Sequence, residues 1–90
     1  KAGLIHLTKS LASFFDGEVR VNAVAPGWVE TEKTADINPK FKREEEEKIV
    51  EKRFARAEEV ANVVYFVAKE EASYVNGAVL RVDGGVKYGN

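Results

Sequence analysis

VRVNAVAPGWVET, residues 19–31, is the stretch that decides the fold. Apolar side chains alternate from Val19 to Ala25, and the positions between them are partly apolar, as in a strand that is covered on both faces. Pro26 has no N–H for a sheet ladder, and Gly27 permits backbone angles and close approach that a Cβ would block. The segment therefore predicts a buried strand that stops at the Pro-Gly pair and opens a loop. In open α/β sheets, ligands bind at such loops.

Two helices and a second strand are predicted around this segment. Residues 4–15 repeat apolar side chains at helical spacing, in a stripe wide enough for more than one contact. Residues 57–68 carry the clearest stripe, and their first turn is acidic, where the helix dipole favours negative charge. Residues 78–82 predict a strand after the Asn76-Gly77 turn signal. The two strands, joined through helices, are expected to form a parallel pair.

The composition argues against several classes of protein. Hydrophobic residues make up 44% of the 90 residues and charged residues 32%, a balance that argues against disorder, and no apolar run is long enough for a membrane span. The net charge of −1 provides no attraction to nucleic acid. One histidine and no cysteine make a zinc site unexpected, and the lack of cysteine fits a reducing, cytoplasmic location. We therefore expect no metal, nucleic-acid or membrane partner.

Four parts of the chain resemble one enzyme family. NAVAPGWVET, residues 22–31, resembles the segment of the short-chain dehydrogenase/reductase family that closes over the nicotinamide of a bound dinucleotide. Lys1-Ala2-Gly3, followed by an amphipathic helix, resembles the end of the family's Tyr-x-x-x-Lys active-site helix. RFARAEEVA, residues 53–61, and the motifs SYVNG and VDGG within residues 73–85 resemble the family's last helix and last strand. The matches occur in the family's order and leave out only the charged middle of the chain.

The resemblance implies an α/β fold with a Rossmann-like, doubly wound parallel sheet. Two strands cannot bury their own faces beneath three helices, and the sequence has no glycine-rich dinucleotide fingerprint. We therefore interpret residues 1–90 as the C-terminal part of a single dinucleotide-binding catalytic domain, incomplete without an upstream half. The 90 residues alone are expected to be inactive.

The implied activity is that of an oxidoreductase dependent on NAD or NADP. It would transfer a hydride between the nicotinamide and a small-molecule carbonyl or secondary alcohol, as a 3-oxoacyl-carrier-protein reductase or a sugar or polyol dehydrogenase does. The choice between NAD and NADP stays open, because the residue that reads the ribose lies in the upstream half. An alternative is a non-catalytic oligomerisation or interaction fragment of the same fold. A tyrosine four residues before Lys1 would favour the enzyme.

The resemblance also assigns roles to five residues. Lys1 matches the family's catalytic lysine, whose ammonium would lower the pKa of the upstream tyrosine and bond a ribose hydroxyl of the cofactor. Pro26 and Gly27 would let the flat nicotinamide ring lie against the backbone. The Val29 N–H and the Thr31 hydroxyl resemble the family's contacts to the carboxamide and the phosphates. The alternative interpretation is purely structural: Lys1 is then an ordinary lysine, and the Pro-Gly pair only ends a strand.

The charged stretch at residues 31–53 is expected to be a substrate lid. A short helix is predicted from Phe41 to Arg53, and its apolar residues, with Ile49 and Phe54 among them, are too few for a firm stripe. A ligand site at one end and few anchors favour a segment that orders over the nicotinamide when cofactor and substrate bind. The alternative is a fixed helix with a solvated, charged face.

A homodimer or homotetramer is expected. The apolar arc of the first helix is too broad for one contact, and the last strand is otherwise an open edge beside Tyr74 and Val79. Symmetric association of identical chains is the common way to cover such surfaces.

Overall fold

The computed structural model describes residues 2–87, which form α-helices packed on a small parallel sheet. In chain order the elements are α1 (Ala2–Phe15), β1 (Ala23–Pro26), α2 (Glu32–Ala35), α3 (Pro39–Glu47), α4 (Ala57–Ala68), a 3-10 turn (Glu70–Ala72) and β2 (Val79–Val82). The α/β class and the two long helices predicted at either end of the chain are confirmed.

The two strands run parallel, as the sequence predicts. Ala23 pairs with Val79, and Pro26 pairs with Val82. Pro26 itself was expected to lie beyond the strand, yet it is the last paired residue of β1. The Ala23 and Gly27 N–H groups donate to carbonyls of the β2 segment at 2.9 and 3.0 Å. The pairing tolerates proline because the nitrogen at the alternate position 26 points away from β2. The carboxyl ends of both strands therefore lie side by side.

The strand begins at Ala23, and the prediction of a start at Val19 is wrong. Residues 20–22 bind to the turn before β2 instead of pairing with a strand. The Arg20 guanidinium donates to the Val75 carbonyl at 3.1 Å, and the Val21 N–H donates to the Asn76 side-chain oxygen at 3.0 Å. These side-chain bonds, with one main-chain bond from the Gly77 N–H to the Val21 carbonyl at 2.8 Å, take the place of a strand ladder upstream of β1.

Helix α1 contacts β2 along only one edge of its apolar stripe. Thr8 is 3% exposed, and its hydroxyl donates to the Leu4 carbonyl at 2.6 Å. Ala12 and Phe15 are half-buried on the same side. Phe14 is 78% exposed, and the other large apolar residues of the helix are exposed as well: Leu4, Ile5, Leu7 and Leu11. The apolar arc is as broad as expected, and most of it is uncovered by the described residues.

The segment between α3 and α4 contributes most of the core, contrary to the expectation of loose packing. Helix α3 ends at Glu47, not at Arg53. Ile49 and Phe54 are only 8% and 2% exposed. Ile49 forms an antiparallel bridge with Val86, which ties the segment to the loop after β2. These long-range bridges bury apolar residues that are too sparse to form a stripe of their own.

Candidate functional site

The predicted ligand corner lies at the carboxyl end of β1. Pro26 and Gly27 are both exposed there. A Cβ on Gly27 would lie 2.9 Å from the Asp83 Cβ and 3.1 Å from its Cα. Glycine is therefore required so that the ends of β1 and β2 can approach each other. The close approach predicted at Gly27 is present, and the neighbour that demands it is Asp83.

Asp83 is held firmly beside this corner. Its carboxylate accepts the Gly85 N–H at 3.0 Å and an Arg81 guanidinium N–H at 2.9 Å. These bonds fix the loop that follows β2. Both sides of the corner are consequently ordered by contacts within the chain.

Val29 lies in an extended stretch that pairs with Ala55 as an isolated parallel bridge. The Ala55 N–H donates to the Trp28 carbonyl at 3.0 Å, and the Glu30 N–H donates to the Ala55 carbonyl at 2.8 Å. In such a bridge the N–H of the central residue points away from its partner. Within residues 2–87 the Val29 N–H has no acceptor. It can therefore donate to a ligand.

Thr31 has a structural role that the sequence reasoning missed. It is the N-cap of α2, and its hydroxyl oxygen accepts the Thr34 N–H at 3.4 Å. The Thr34 hydroxyl reciprocates by accepting the Thr31 N–H at 2.7 Å. The Thr31 hydroxyl acts only as an acceptor among the described residues, so its own proton is available to an outside acceptor. The pattern Thr-x-x-Thr was the available signal for this cap.

A cavity of about 270 Å³ opens beside the corner. Its walls come from three parts of the chain, and they include Pro26, Gly27, Trp28, Lys48, Ile49 and Asp83. The cavity thus brings together two of the predicted site residues. Val29 and Thr31 continue along the chain outside its lining. Trp28, Lys48 and Asp83 were not among the predicted site residues, although an aromatic residue directly after a Pro-Gly pair is a usable signal.

Trp28 is the side chain that joins the corner to its surroundings. Its ring stacks on Phe54 at a centroid distance of 5.2 Å and an interplanar angle of 9°. Phe41 meets it edge-on at 6.0 Å, and the indole N–H donates to a Glu45 carboxylate oxygen at 3.3 Å. The Lys48 ammonium and the indole N–H hold the pKa of the Glu45 carboxyl below its ordinary value. Helix α3 therefore rests on Trp28.

The expected lid, residues 31–53, divides into two parts. Helix α3 touches the corner through Trp28 and through an ion pair of 2.6 Å between Lys42 and Glu30. The end of the stretch is anchored by Ile49 and by the Val50 N–H, which donates to the Gly85 carbonyl at 2.9 Å. The expectation of few anchors is wrong for residues 49–53. Movement of the lid remains a prediction.

Lys1 lies outside the described residues. Asn22 has a structural role: its side-chain N–H donates to the Val75 carbonyl at 2.9 Å, and its oxygen accepts the Ala78 N–H at 3.0 Å. Across residues 2–87 no group of His, Cys, Asp or Glu side chains is arranged to hold a metal ion. No helix in that range is long and apolar enough to cross a membrane.

The sequence matches known reductases over almost its whole length. A family model described as enoyl-(acyl carrier protein) reductase matches residues 1–87. A 3-oxoacyl-(acyl-carrier-protein) reductase of Aquifex aeolicus is 51% identical over 87 residues, which are 96% of this chain and 35% of that protein. Glucose 1-dehydrogenase 2 of Bacillus subtilis is 43% identical over 88 residues, 96% of this chain and 34% of that protein. The chain spans about a third of the length of the curated relatives it matches.

Proposed function

Because the chain belongs to the short-chain dehydrogenase/reductase family, we propose that the whole protein is an oxidoreductase that depends on NAD or NADP. It would transfer a hydride between the nicotinamide and a carbonyl or secondary alcohol. Residues 1–90 would then be the C-terminal part of a Rossmann-like, doubly wound domain and inactive alone. The two-stranded parallel sheet and its thin core support this placement.

The observation that carries the proposal is the backbone between Pro26 and Val29. The corner presents no side chain at Gly27 and no N–H at Pro26, so a flat ring can lie against it. The Val29 N–H, turned away from Ala55, would donate to the carboxamide of the cofactor. The Thr31 hydroxyl proton would donate to the carboxamide or a phosphate. When bound, the nicotinamide supplies hydride donation or acceptance.

Lys1 is proposed as the catalytic lysine. An ammonium one helical turn after a tyrosine stabilises the phenolate and so lowers the pKa of that tyrosine, which improves proton transfer near neutral pH. The same ammonium would donate to a ribose hydroxyl and orient the cofactor. This role requires a tyrosine four residues before Lys1 in the whole protein.

The relatives' names point to two kinds of substrate. Several relatives are named as 3-oxoacyl-(acyl-carrier-protein) reductases, and another is named as a glucose 1-dehydrogenase. The test is an assay of the whole protein with NADH and NADPH on acetoacetyl thioesters, and with NAD and NADP on glucose. We expect turnover with one of these combinations of cofactor and substrate. Absence of both turnover and dinucleotide binding would favour the non-catalytic interaction module.

The whole enzyme is also proposed to form a homodimer or homotetramer, without a nucleic-acid or membrane partner. The exposed apolar side chains of α1 and the fully exposed Tyr74 beside β2 support association with identical chains. Light scattering at working concentration should give twice or four times the chain mass. A monomeric mass would contradict this part of the proposal.

A further inference from the structure

Phe54 occupies a special place next to the candidate site. It is 2% exposed, the lowest value for any apolar side chain larger than alanine within residues 2–87. Its ring stacks face to face on Trp28, the residue that follows Gly27. A ring buried to this extent cannot touch a ligand itself. Any influence on the site must therefore pass through its neighbours.

The backbone beside Phe54 holds the same loop a second time. Ala55 bonds to the Trp28 carbonyl and to the Glu30 N–H, at 3.0 and 2.8 Å. Phe54 and Ala55 thus fix the loop at residues 28–30 through a side-chain stack and through two main-chain hydrogen bonds. These contacts set the direction of the Val29 N–H, which lies between the two main-chain bonds.

Phe54 and Ala55 are themselves held to the start of α4. The Arg53 guanidinium forms two hydrogen bonds with the Glu59 carboxylate, at 2.8 and 2.9 Å, and a third with the Phe54 carbonyl at 3.2 Å. Glu59 also accepts the Arg56 N–H at 2.8 Å. Paired, two-pronged bonds of this kind restrict orientation as well as distance. Phe54 consequently projects from a fixed base.

We propose that Phe54 is a positioning residue for the nicotinamide end of the cofactor site. Its ring holds Trp28, and with Ala55 it keeps the Val29 N–H directed toward the cofactor before binding. The inference rests on the proposed function, since it assigns Val29 to the carboxamide. Preorganised donors bind more tightly because less order is lost on binding. Removing the flat ring should therefore weaken only the contacts made by the nicotinamide end.

The test measures dissociation constants by titration calorimetry on the whole protein. The ligands are NADH and NADPH, and the two fragments that lack the nicotinamide ring, ADP-ribose and 2′-phospho-ADP-ribose. Phe54→Leu keeps a large apolar side chain at this position but loses the ring stack on Trp28. We expect the preferred dinucleotide to bind about 3- to 10-fold more weakly, the effect of one hydrogen bond, and its matching fragment to bind unchanged.

Val67→Ala provides the matched control. Val67 is half-buried near the C-terminal end of α4, where its carbonyl accepts from Arg20 at 2.9 Å, and it does not line the cavity beside the corner. The control should leave the dissociation constants of dinucleotide and fragment unchanged. Equal weakening of dinucleotide and fragment by Phe54→Leu, or no weakening of either, would overturn the positioning role alone. A wild-type protein that binds neither dinucleotide would overturn the proposed function and the positioning role with it.

Discussion

Helix α1 and the segment at residues 48–56 differ in how far their apolar side chains are exposed. Phe14 on α1 is 78% exposed, while Phe54 is 2% exposed. The segment finds its partners within the described residues, through bridges to Val29 and Val86. Most of the apolar face of α1 finds none there. The difference shows that the segment contributes to internal stability, while the apolar face of α1 is left for contacts beyond the described residues.

The largest expected effect separates chemistry from stability at the start of α1. In the whole protein, Lys1→Ala should lower kcat by about 10²- to 10⁴-fold, the usual contribution of a group that supports proton transfer. The thermal midpoint should change little, because the proposed role of Lys1 concerns proton transfer. Steady-state kinetics and a melting curve measure both. Near-normal activity across the pH range would show that Lys1 is not catalytic.

The next effect compares the two phenylalanines directly. Phe54→Ala should reduce the free energy of unfolding by about 3–5 kcal/mol, because it leaves a cavity under Trp28. Phe14→Ala should change the stability of the folded chain by about 0.5 kcal/mol or less, since little of its surface is buried by the described residues. Denaturant unfolding measures both, at a protein concentration low enough to keep the chains dissociated. Equal losses would mean that Phe14 is covered within each chain.

These burial patterns show what the sequence could predict. The helices at 2–15 and 57–68 and the parallel strand pair follow local periodicity. The burial of Phe54 could not be predicted in this way. Its cause is a bridge between residues 26 positions apart in the chain, which no local pattern encodes.

The site residues divide along the same line. The Pro-Gly corner was found because proline and glycine limit a strand wherever it pairs. The need for glycine at position 27 depends on Asp83, which approaches only once both strands have formed. The contacts of Trp28 likewise depend on the tertiary fold, because its partners Phe41 and Phe54 belong to two later segments of the chain. Contacts that depend on tertiary folding were therefore missed.

A smaller effect concerns the two parts of the expected lid. Amide hydrogen exchange across α3 should slow when the proposed cofactor and a substrate analogue bind to the whole protein. Residues 49–53 should already be protected without ligand, because they are anchored to Gly84 and Gly85. The last helix from Val60 to Ala68 should hardly change. Equal protection of α3 and this helix without ligand would favour the fixed, solvated helix.

The smallest expected effect is a pH dependence of stability that arises from the Arg53–Glu59 pair beside Phe54. The Arg53 guanidinium and the Arg56 N–H lower the pKa of Glu59 from 4.5 to about 2. Because the folded state lowers this pKa, the pair stabilises the fold above pH 4.5, and the stabilisation disappears as pH falls toward 2. The melting temperature of Glu59→Gln should therefore lie slightly below wild type at pH 6 and approach it near pH 2. A difference that is independent of pH would contradict this.

The binding of nicotinamide at the Pro-Gly corner is tested most directly by the amide signal of Val29. In the isotope-labelled whole protein, this signal is followed by nuclear magnetic resonance during titration with the preferred dinucleotide or with its fragment that lacks nicotinamide. We expect the dinucleotide to shift the Val29 amide signal and the fragment to leave it in place, because the Val29 N–H is free to donate only at that end. Equal shifts with both ligands, or no shift with the bound dinucleotide, would contradict a nicotinamide site at this corner.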